Sequence, residues 1–441
     1  MRTLDFTHEP TRRSWVSSAQ EIDSDFPIQN LPFSVFRERG AEQARWRGGV
    51  AIGDQIVCLV ALRATGLLDG LAQTACEAAA QERLNDFLAL GPEAWRALRQ
   101  GLSNLLDEHL PEHEQGIMRS TLRAQEDAEY QLPAQVGDYT DFYTSIDHAR
   151  NIGLMRRPDN PLSPNFEWMP IAYHGRASTL GVGPQSIRRP KGQIRINDAG
   201  EPILSSSQFL DYELEIGAWV GQGNQQGHAV PIERATDHIF GLCLLNDWSA
   251  RDIQFWEMAP LGPFLAKNFA TTLSPWIITL DALLPYRRAW TRTQEQPQTL
   301  AYLDHASIRD GGAYDIELEV LLQTEQMRRT HLPPHRLSQT NFAHQYWTIA
   351  QMLTHHTVNG CRLAPGDLLG SGTISGPSWD QAGSLLELAQ GGKKPIKLPN
   401  GEQRSCLADG DTVILSARCS GAGKARIGFG TCTGTISTTP M

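Results

Sequence analysis

The segment LDYELEIG, residues 210–217, sets Asp211, Glu213 and Glu215 at alternate positions, with Tyr212, Leu214 and Ile216 between them. A period of two predicts a strand, because successive side chains point to opposite faces. One face is then apolar and the other acidic, and the following AWVG carries the strand towards a core. No other stretch constrains the fold so tightly. Two carboxylates about 4 Å apart repel by roughly 4 kcal/mol at an effective dielectric near 20. A half-exposed strand leaves those charges to water. A buried one must protonate them or hold a cation, and a set of oxygen ligands for a hard cation is the alternative reading.

The length of 441 residues allows two or three domains. Acidic residues outnumber basic ones, 49 to 39, which argues against an electrostatic grip on nucleic acid. The longest apolar runs, such as IVCLVAL, are too short to span a bilayer, and the first fifteen residues lack the apolar centre of a signal peptide. Seven cysteines without CxxC or zinc-like spacing read as reduced thiols of a cytoplasmic protein.

Along the chain, IVCLVAL (56–62) reads as a buried strand or helix start, and the Ala- and Leu-rich stretch after it as helix. Gly91-Pro92-Glu93 opens a clearer helix, with Trp95, Leu98, Leu102, Leu105 and Leu106 on one face. The texture changes near residue 133, where we expect a domain boundary. Beyond it, LDYELEIGAWVG, IFGLCLLNDW, YDIELEVLLQ and DTVILSARC are strand-like, and Asn400-Gly401 marks a hairpin turn. One helix is predicted over 342–357, capped by Thr340 or Asn341. The second region is therefore mainly β.

Further acids and bases surround this pattern. Asp141 lies in the aromatic stretch DYTDFYTS, expected to be a loop, and Asp247 ends the apolar run LCLLND. Arg251 and Lys267 follow, the latter in an apolar neighbourhood where an unpaired ammonium would be costly, so it needs an acidic partner or an oxyanion. His355 and His356 close a helix and read as structural, and His174 as a turn residue. His148, taken alone, reads as a surface or packing histidine. No GxSxG, P-loop, HExxH or catalytic-cysteine signature is present.

Taken together, GDYTDFYTSIDHARNIGLMRR, PIAYHGRASTLGV, SIRRPKGQ, LDYELEIGAWVG, LCLLNDWSARDIQFWEMAPLGPFLAKNFATTLSPW, LTHHTVNGCRLAPGDLLGSGTISGP and RIGFGTC resemble the fumarylacetoacetate hydrolase family. The resemblance implies an α+β, mainly β protein: a small SH3-like N-terminal barrel with a helical connector (1–133), then a large β-rich catalytic roll (134–441) that forms a homodimer. It implies a metal-dependent hydrolase of carbon–carbon bonds in tyrosine and phenylalanine breakdown, acting on a small diketo acid, with no nucleic-acid or membrane partner. Position by position, Asp141, Glu213, Glu215 and Asp247 match calcium ligands. Asp247, Thr271 and the backbone carbonyl of Lys267 match a magnesium site. His148 matches the base and Glu387 its partner, and Arg251, Gln254 and Lys267 match oxyanion donors. Tyr143, Arg157, Tyr173, Gln254 and Thr373 match substrate contacts. Met258 stands where the family commonly has a tyrosine, and Asp211 matches no ligand. The wider superfamily offers an alternative, an acylpyruvate hydrolase, isomerase or decarboxylase on another diketo acid.

Overall fold

The computed structural model describes residues 3–196 and 200–437. Its first sheet is antiparallel, with Leu122–Ala124, Gln55–Cys58, Arg47–Ile52, Phe33–Glu38 and Ala128–Gln131 adjacent in that order. The last two strands of this segment return to opposite edges of an antiparallel five-stranded sheet. IVCLVAL is both of the elements it suggested: Gln55–Cys58 is strand and Leu59–Thr65 helix. The Ala-rich stretch is broken into Gly70–Ala79 and Asn85–Ala89, and Pro92 opens Pro92–Leu105 as its fixed φ favours.

The centre of the molecule is a sheet of eight strands. Along its path lie Ile171–His174, Tyr139–Tyr143, Leu368–Gly370, Leu214–Val220, Ile239–Asp247, Thr271–Leu273 and Leu180–Val182, with Ile278–Thr279 also paired to Ile239–Asp247. A second sheet runs His335–Asn341, Glu317–Gln323, Thr412–Cys419, Ile427–Ile436 and Gln185–Ile187. Ile216, Ala218, Leu242, Leu244 and Leu369 join the core shared with that second sheet. Trp219, Cys243, Leu245, Leu273 and Leu368 join the core shared with the N-terminal unit. Both faces of the central sheet are therefore covered.

Three sequence expectations change accordingly. LDYELEIG is not one strand but two pieces, Leu210–Asp211 and Leu214–Val220, and its acidic side is buried, not half-exposed. Asp141 sits within the strand Tyr139–Tyr143, not in a loop, because that strand is paired on both sides. The helix near residue 350 begins later, at Ile349, capped by Thr348. Asn341 instead caps a separate turn, Phe342–His344. Sequence periodicity ran through the break because Phe342 and Ile349 enter the same core.

A buried cation helps to tie residues 7–30 to the helix Pro92–Leu105. Arg99 donates from Nη1 to the Asn30 carbonyl at 2.7 Å, from Nη2 to the Gln29 carbonyl at 2.5 Å and from Nε to Thr7 Oγ1 at 3.1 Å. Asn30 in turn donates to the Gly428 carbonyl at 2.8 Å. Replacing Arg99 by Ala orphans those acceptors and should cost about 2–4 kcal/mol. A urea titration reads this as a lowered first unfolding midpoint; a shift worth less than about 1 kcal/mol would show that water takes over the contacts.

Candidate active site

The side-chain period of two decides where the acids go. Tyr139, Asp141 and Tyr143 share a face of their strand. So do Glu215, Gly217 and Trp219, then Cys243, Leu245 and Asp247, then Thr271 and Leu273. The register places Asp141 beside Gly370, Gly370 beside Gly217, and Asp247 beside Thr271. At one end of this face the side chains are apolar. At the other, Asp141, Glu213, Glu215 and Asp247 are all buried, and one carboxylate oxygen from each lies within 4.8 Å of the others.

Gly370 makes the convergence possible. A Cβ there would lie 2.9 Å from Asp141 Oδ1, 3.0 Å from the Tyr139 hydroxyl and 3.1 Å from Glu215 Oε2. Any side chain would occupy the space between the Asp141 and Glu215 carboxylates.

Two cations hold part of this charge. Lys267 Nζ donates to Glu213 Oε2 at 2.5 Å and to Asp247 Oδ2 at 2.6 Å, so the acidic partner expected for it is found. Arg251 donates from Nη1 to Glu213 Oε1 at 2.6 Å and from Nε to Asp211 Oδ2 at 2.9 Å. Burial opposes charge on Glu213, but Lys267 and Arg251 outweigh it and hold its carboxyl well below the usual range. Burial, reinforced by neighbouring acids, pushes Asp141 and Glu215 well above it. Burial also raises Asp247, against the pull of Lys267.

The set fits a hard divalent ion. Five buried carboxylates, counting Asp211, face two cations, which leaves three negative charges if all are ionised. Asp141 Oδ1 and Glu215 Oε1 are buried without a hydrogen-bond partner, an arrangement that costs free energy unless something positive meets them. All donors are oxygen, which selects Ca²⁺ or Mg²⁺ over softer metals. A cavity of about 160 Å³ opens beside them, lined by Tyr139, Tyr173, Asp247, Lys267 and Thr271 among others. Tyr173 donates to Asp247 Oδ2 at 3.1 Å, and Thr271 to Asp247 Oδ1 at 3.0 Å. A larger groove, about 440 Å³, lies along His335–Asn341 and holds none of the candidate residues.

His148 is buried, not superficial, on the first turn of the helix Ile146–Arg156, which is capped by Ser145. Its Nδ1 lies 2.7 Å from Glu387 Oε2. Burial favours a neutral Glu387, yet the imidazole and surrounding donors hold its carboxyl below the ordinary range. An ionised carboxylate only accepts, so Nδ1 carries a proton, and in the neutral ring the lone pair is then on Nε2. Asn151, Ser375 and Ser384 complete the shell around Glu387, at 2.9, 2.9 and 2.7 Å. The Tyr143 ring packs edge-on against His148, with centroids 5.2 Å apart.

The two groups of charge are joined through Asp211. It accepts from the amides of Leu385 and Leu386, at 2.9 and 3.2 Å, on the short helix that also carries Glu387. The backbones of Glu213 and Ser384 pair as an isolated antiparallel β-bridge. Gln254 Oε1 accepts from Arg251 at 3.2 Å. Thr373 is buried in the turn after Gly370, next to Gly372, whose amide donates to Glu215 at 3.2 Å. Arg157 is exposed at the end of the His148 helix and makes no ion pair within the cluster. Sequence reasoning missed Asn151, Ser375 and Ser384. Asn151 lies one turn after His148, and Ser384-x-x-Glu387 is a capping pattern, so two of the three had a readable signal. His356, expected to be structural, hydrogen-bonds Thr140 at 2.8 Å, and His174 ends a strand, not a turn.

A carboxylate cradle suited to a hard cation, beside an imidazole–carboxylate couple, is the arrangement of a metal-assisted hydrolase. Residues 139–437 match the family described as fumarylacetoacetate (FAA) hydrolase C-terminal, and residues 29–133 the one described as fumarylacetoacetase N-terminal. The chain is 46% identical over 421 residues to a fumarylacetoacetase of Arabidopsis thaliana, covering 95% of this chain and 97% of that one. It is 46% identical over 419 residues to one of Homo sapiens, covering 94% and 96%. With one of Caenorhabditis elegans it shares 47% over 429 residues, covering 96% and 99%. The chain belongs to the fumarylacetoacetate hydrolase family.

Gly370→Ala should lower Ca²⁺ and Mg²⁺ affinity at least about tenfold, equivalent to roughly 1.4 kcal/mol, with the fold retained. Titration calorimetry measures the affinity, and thermal unfolding with metal or chelator checks it through the stability that binding adds. Unchanged binding in Gly370→Ala would remove the cradle from the account.

Proposed function

We propose that the protein hydrolyses 4-fumarylacetoacetate to fumarate and acetoacetate, in the breakdown of tyrosine and phenylalanine. The observation that carries this reading is the buried His148–Glu387 pair, 2.7 Å apart, set in the field of the Glu213 cluster. Near-full-length likeness to relatives named for this activity favours it over the superfamily alternatives, the acylpyruvate hydrolases, isomerases and decarboxylases.

His148 Nε2 takes a proton from water, and Glu387 stabilises the imidazolium that results. The hydroxide adds to the ketone carbon flanking the bond to be broken. Arg251 has five N–H donors, three of them hydrogen-bonded to Asp211, Glu213 and Gln254, and Lys267 has two of three engaged. The Arg251 Nη2 group and one Lys267 N–H, with the Gln254 amide, would remain for the developing oxyanion. Each such donor can be worth about 3 kcal/mol of barrier. The carbon–carbon bond then breaks, its electron pair leaving on the acetoacetate enolate, and the imidazolium returns its proton to that carbon. A divalent ion on the carboxylates would supply charge to polarise the diketone oxygens.

Calcium on Asp141, Glu213, Glu215 and Asp247, and magnesium on Asp247, Thr271 and the Lys267 carbonyl, belong to the same reading. Tyr143, Arg157, Tyr173, Gln254 and Thr373 would contact substrate. The reading includes two folding units, 1–133 and 134–441, a homodimer and a cytoplasmic enzyme. No helix among the described residues is long and apolar enough to cross a membrane.

His148→Ala and Glu387→Gln should each lower kcat by about 10²–10⁴, the range for loss of a positioned base, while leaving Ca²⁺ binding intact. Loss of diketone absorbance, with fumarate assayed as product, reads the rate. Full activity in either variant would defeat the mechanism, and consumption of substrate without fumarate would defeat the reaction.

A further inference from the structure

Two tyrosines line the cavity beside the acids, and only one of them is engaged. The Tyr173 hydroxyl donates to Asp247 Oδ2 at 3.1 Å. The Tyr139 hydroxyl is buried, and among the described residues it has no hydrogen-bond partner. Neither the proton transfer at His148 nor the oxyanion donors use it.

The backbone aims this ring. Tyr139 lies on a strand paired on both sides, and its carbonyl accepts from the Gly175 amide at 2.8 Å. A Cβ on Gly175 would lie 2.3 Å from Tyr139 Cδ1, so the ring rests against bare backbone. At its far end the hydroxyl reaches Gly370. The point where a Gly370 Cβ would stand is 3.0 Å from that hydroxyl, 2.9 Å from Asp141 Oδ1 and 3.1 Å from Glu215 Oε2. Tyr139 and Asp141 are two residues apart on one strand, so their side chains leave the same face. Two glycines therefore direct the phenol at the Asp141 and Glu215 carboxylates.

Donors are shared unevenly among the acids. Both oxygens of Asp247 meet donors, from Thr271, Lys267 and Tyr173, and both oxygens of Glu213 meet Arg251 or Lys267. Glu215 Oε2 accepts from the Gly372 amide at 3.2 Å. Asp141 Oδ1 meets none, although the hydroxyl at the same glycine has no acceptor. Leaving a buried donor and a buried acceptor both unmet costs free energy, and one bond between them would satisfy both. Carboxylates that hold a metal are in turn held by hydrogen bonds, which set their orientation.

We propose that Tyr139 is a positioning residue of the carboxylate cradle: with a divalent ion bound, its hydroxyl donates to Asp141 and fixes the rotation of that carboxylate. This rests on the metal-dependent reading of the function. Tyr139 acts through Asp141 and takes no part in the chemistry at His148.

Tyr139→Phe tests this with Ca²⁺ alone, because it keeps the ring against Gly175 and removes only the hydroxyl. Calorimetry should show Ca²⁺ affinity lowered at least about tenfold. In chelator the variant should unfold at the wild-type temperature or above it, since an unmet donor has been removed, whereas added Ca²⁺ should raise its midpoint less than that of wild type. A Ca²⁺-loaded crystal should place the Tyr139 hydroxyl about 2.7 Å from an Asp141 carboxylate oxygen. Unchanged Ca²⁺ affinity in Tyr139→Phe, a midpoint lowered equally with Ca²⁺ and with chelator, or a hydroxyl turned away from Asp141 in the loaded crystal overturns the proposal and leaves the metal-dependent reading standing. Wild-type protein that binds neither Ca²⁺ nor Mg²⁺ overturns both.

Discussion

The central sheet carries one electrostatic constraint: Asp141, Glu213, Glu215, Asp247 and Asp211 are buried together, and among the described residues Lys267 and Arg251 form the ion pairs that oppose them. Like charges this close and this dry are costly, so each neighbouring feature bears on how the charge is held. Gly370 keeps the strands bare where the acids meet. Lys267 and Arg251 favour ionisation of Glu213, whereas burial and crowding push Asp141 and Glu215 towards their protonated forms. A divalent ion is the simplest completion, because it offsets most of the remaining charge and meets oxygen atoms that have no other partner.

The same network positions the chemistry. Arg251 grips Asp211, and Asp211 grips the amides of the helix that carries Glu387, so the base and the acidic cradle are coupled through hydrogen bonds, not only through the backbone. Glu387 is fixed by three further side chains, which sets the orientation of the imidazole as well as its tautomer. A change at Asp211 would be felt at both ends. That gives a physical role to the one alternating acid that matches no ligand position.

Much of this was legible in the residues. The period of two in LDYELEIG identified the strand and the shared direction of Glu213 and Glu215, and the apolar run before Asp247 placed it at a strand end. The expectation that Lys267 needs an acid followed from desolvation alone. Burial of the acidic face was not legible, because the groups around the acids, among them Tyr139, Tyr173, Lys267 and Gly370, come from elements far apart in sequence. His148 looked ordinary for a similar reason: Glu387 lies 239 positions later, and no local pattern announces that pairing. Asp141 was misread as a loop residue because its flanking pairings, to Ile171–His174 and Leu368–Gly370, are both non-local. Family resemblance supplied the His148–Glu387 pairing where periodicity could not.

The central claim is that distant acids converge on one hard cation beside an imidazole–carboxylate couple. Mn²⁺ suits carboxylate oxygen and scatters anomalously, so diffraction at its absorption edge from crystals grown with Mn²⁺ tests that claim directly. The account predicts a strong peak in contact with Asp141, Glu213, Glu215 and Asp247, with His148 still paired to Glu387. Crystals with no peak there, the four carboxylates paired only with Lys267, Arg251 and one another, would contradict it.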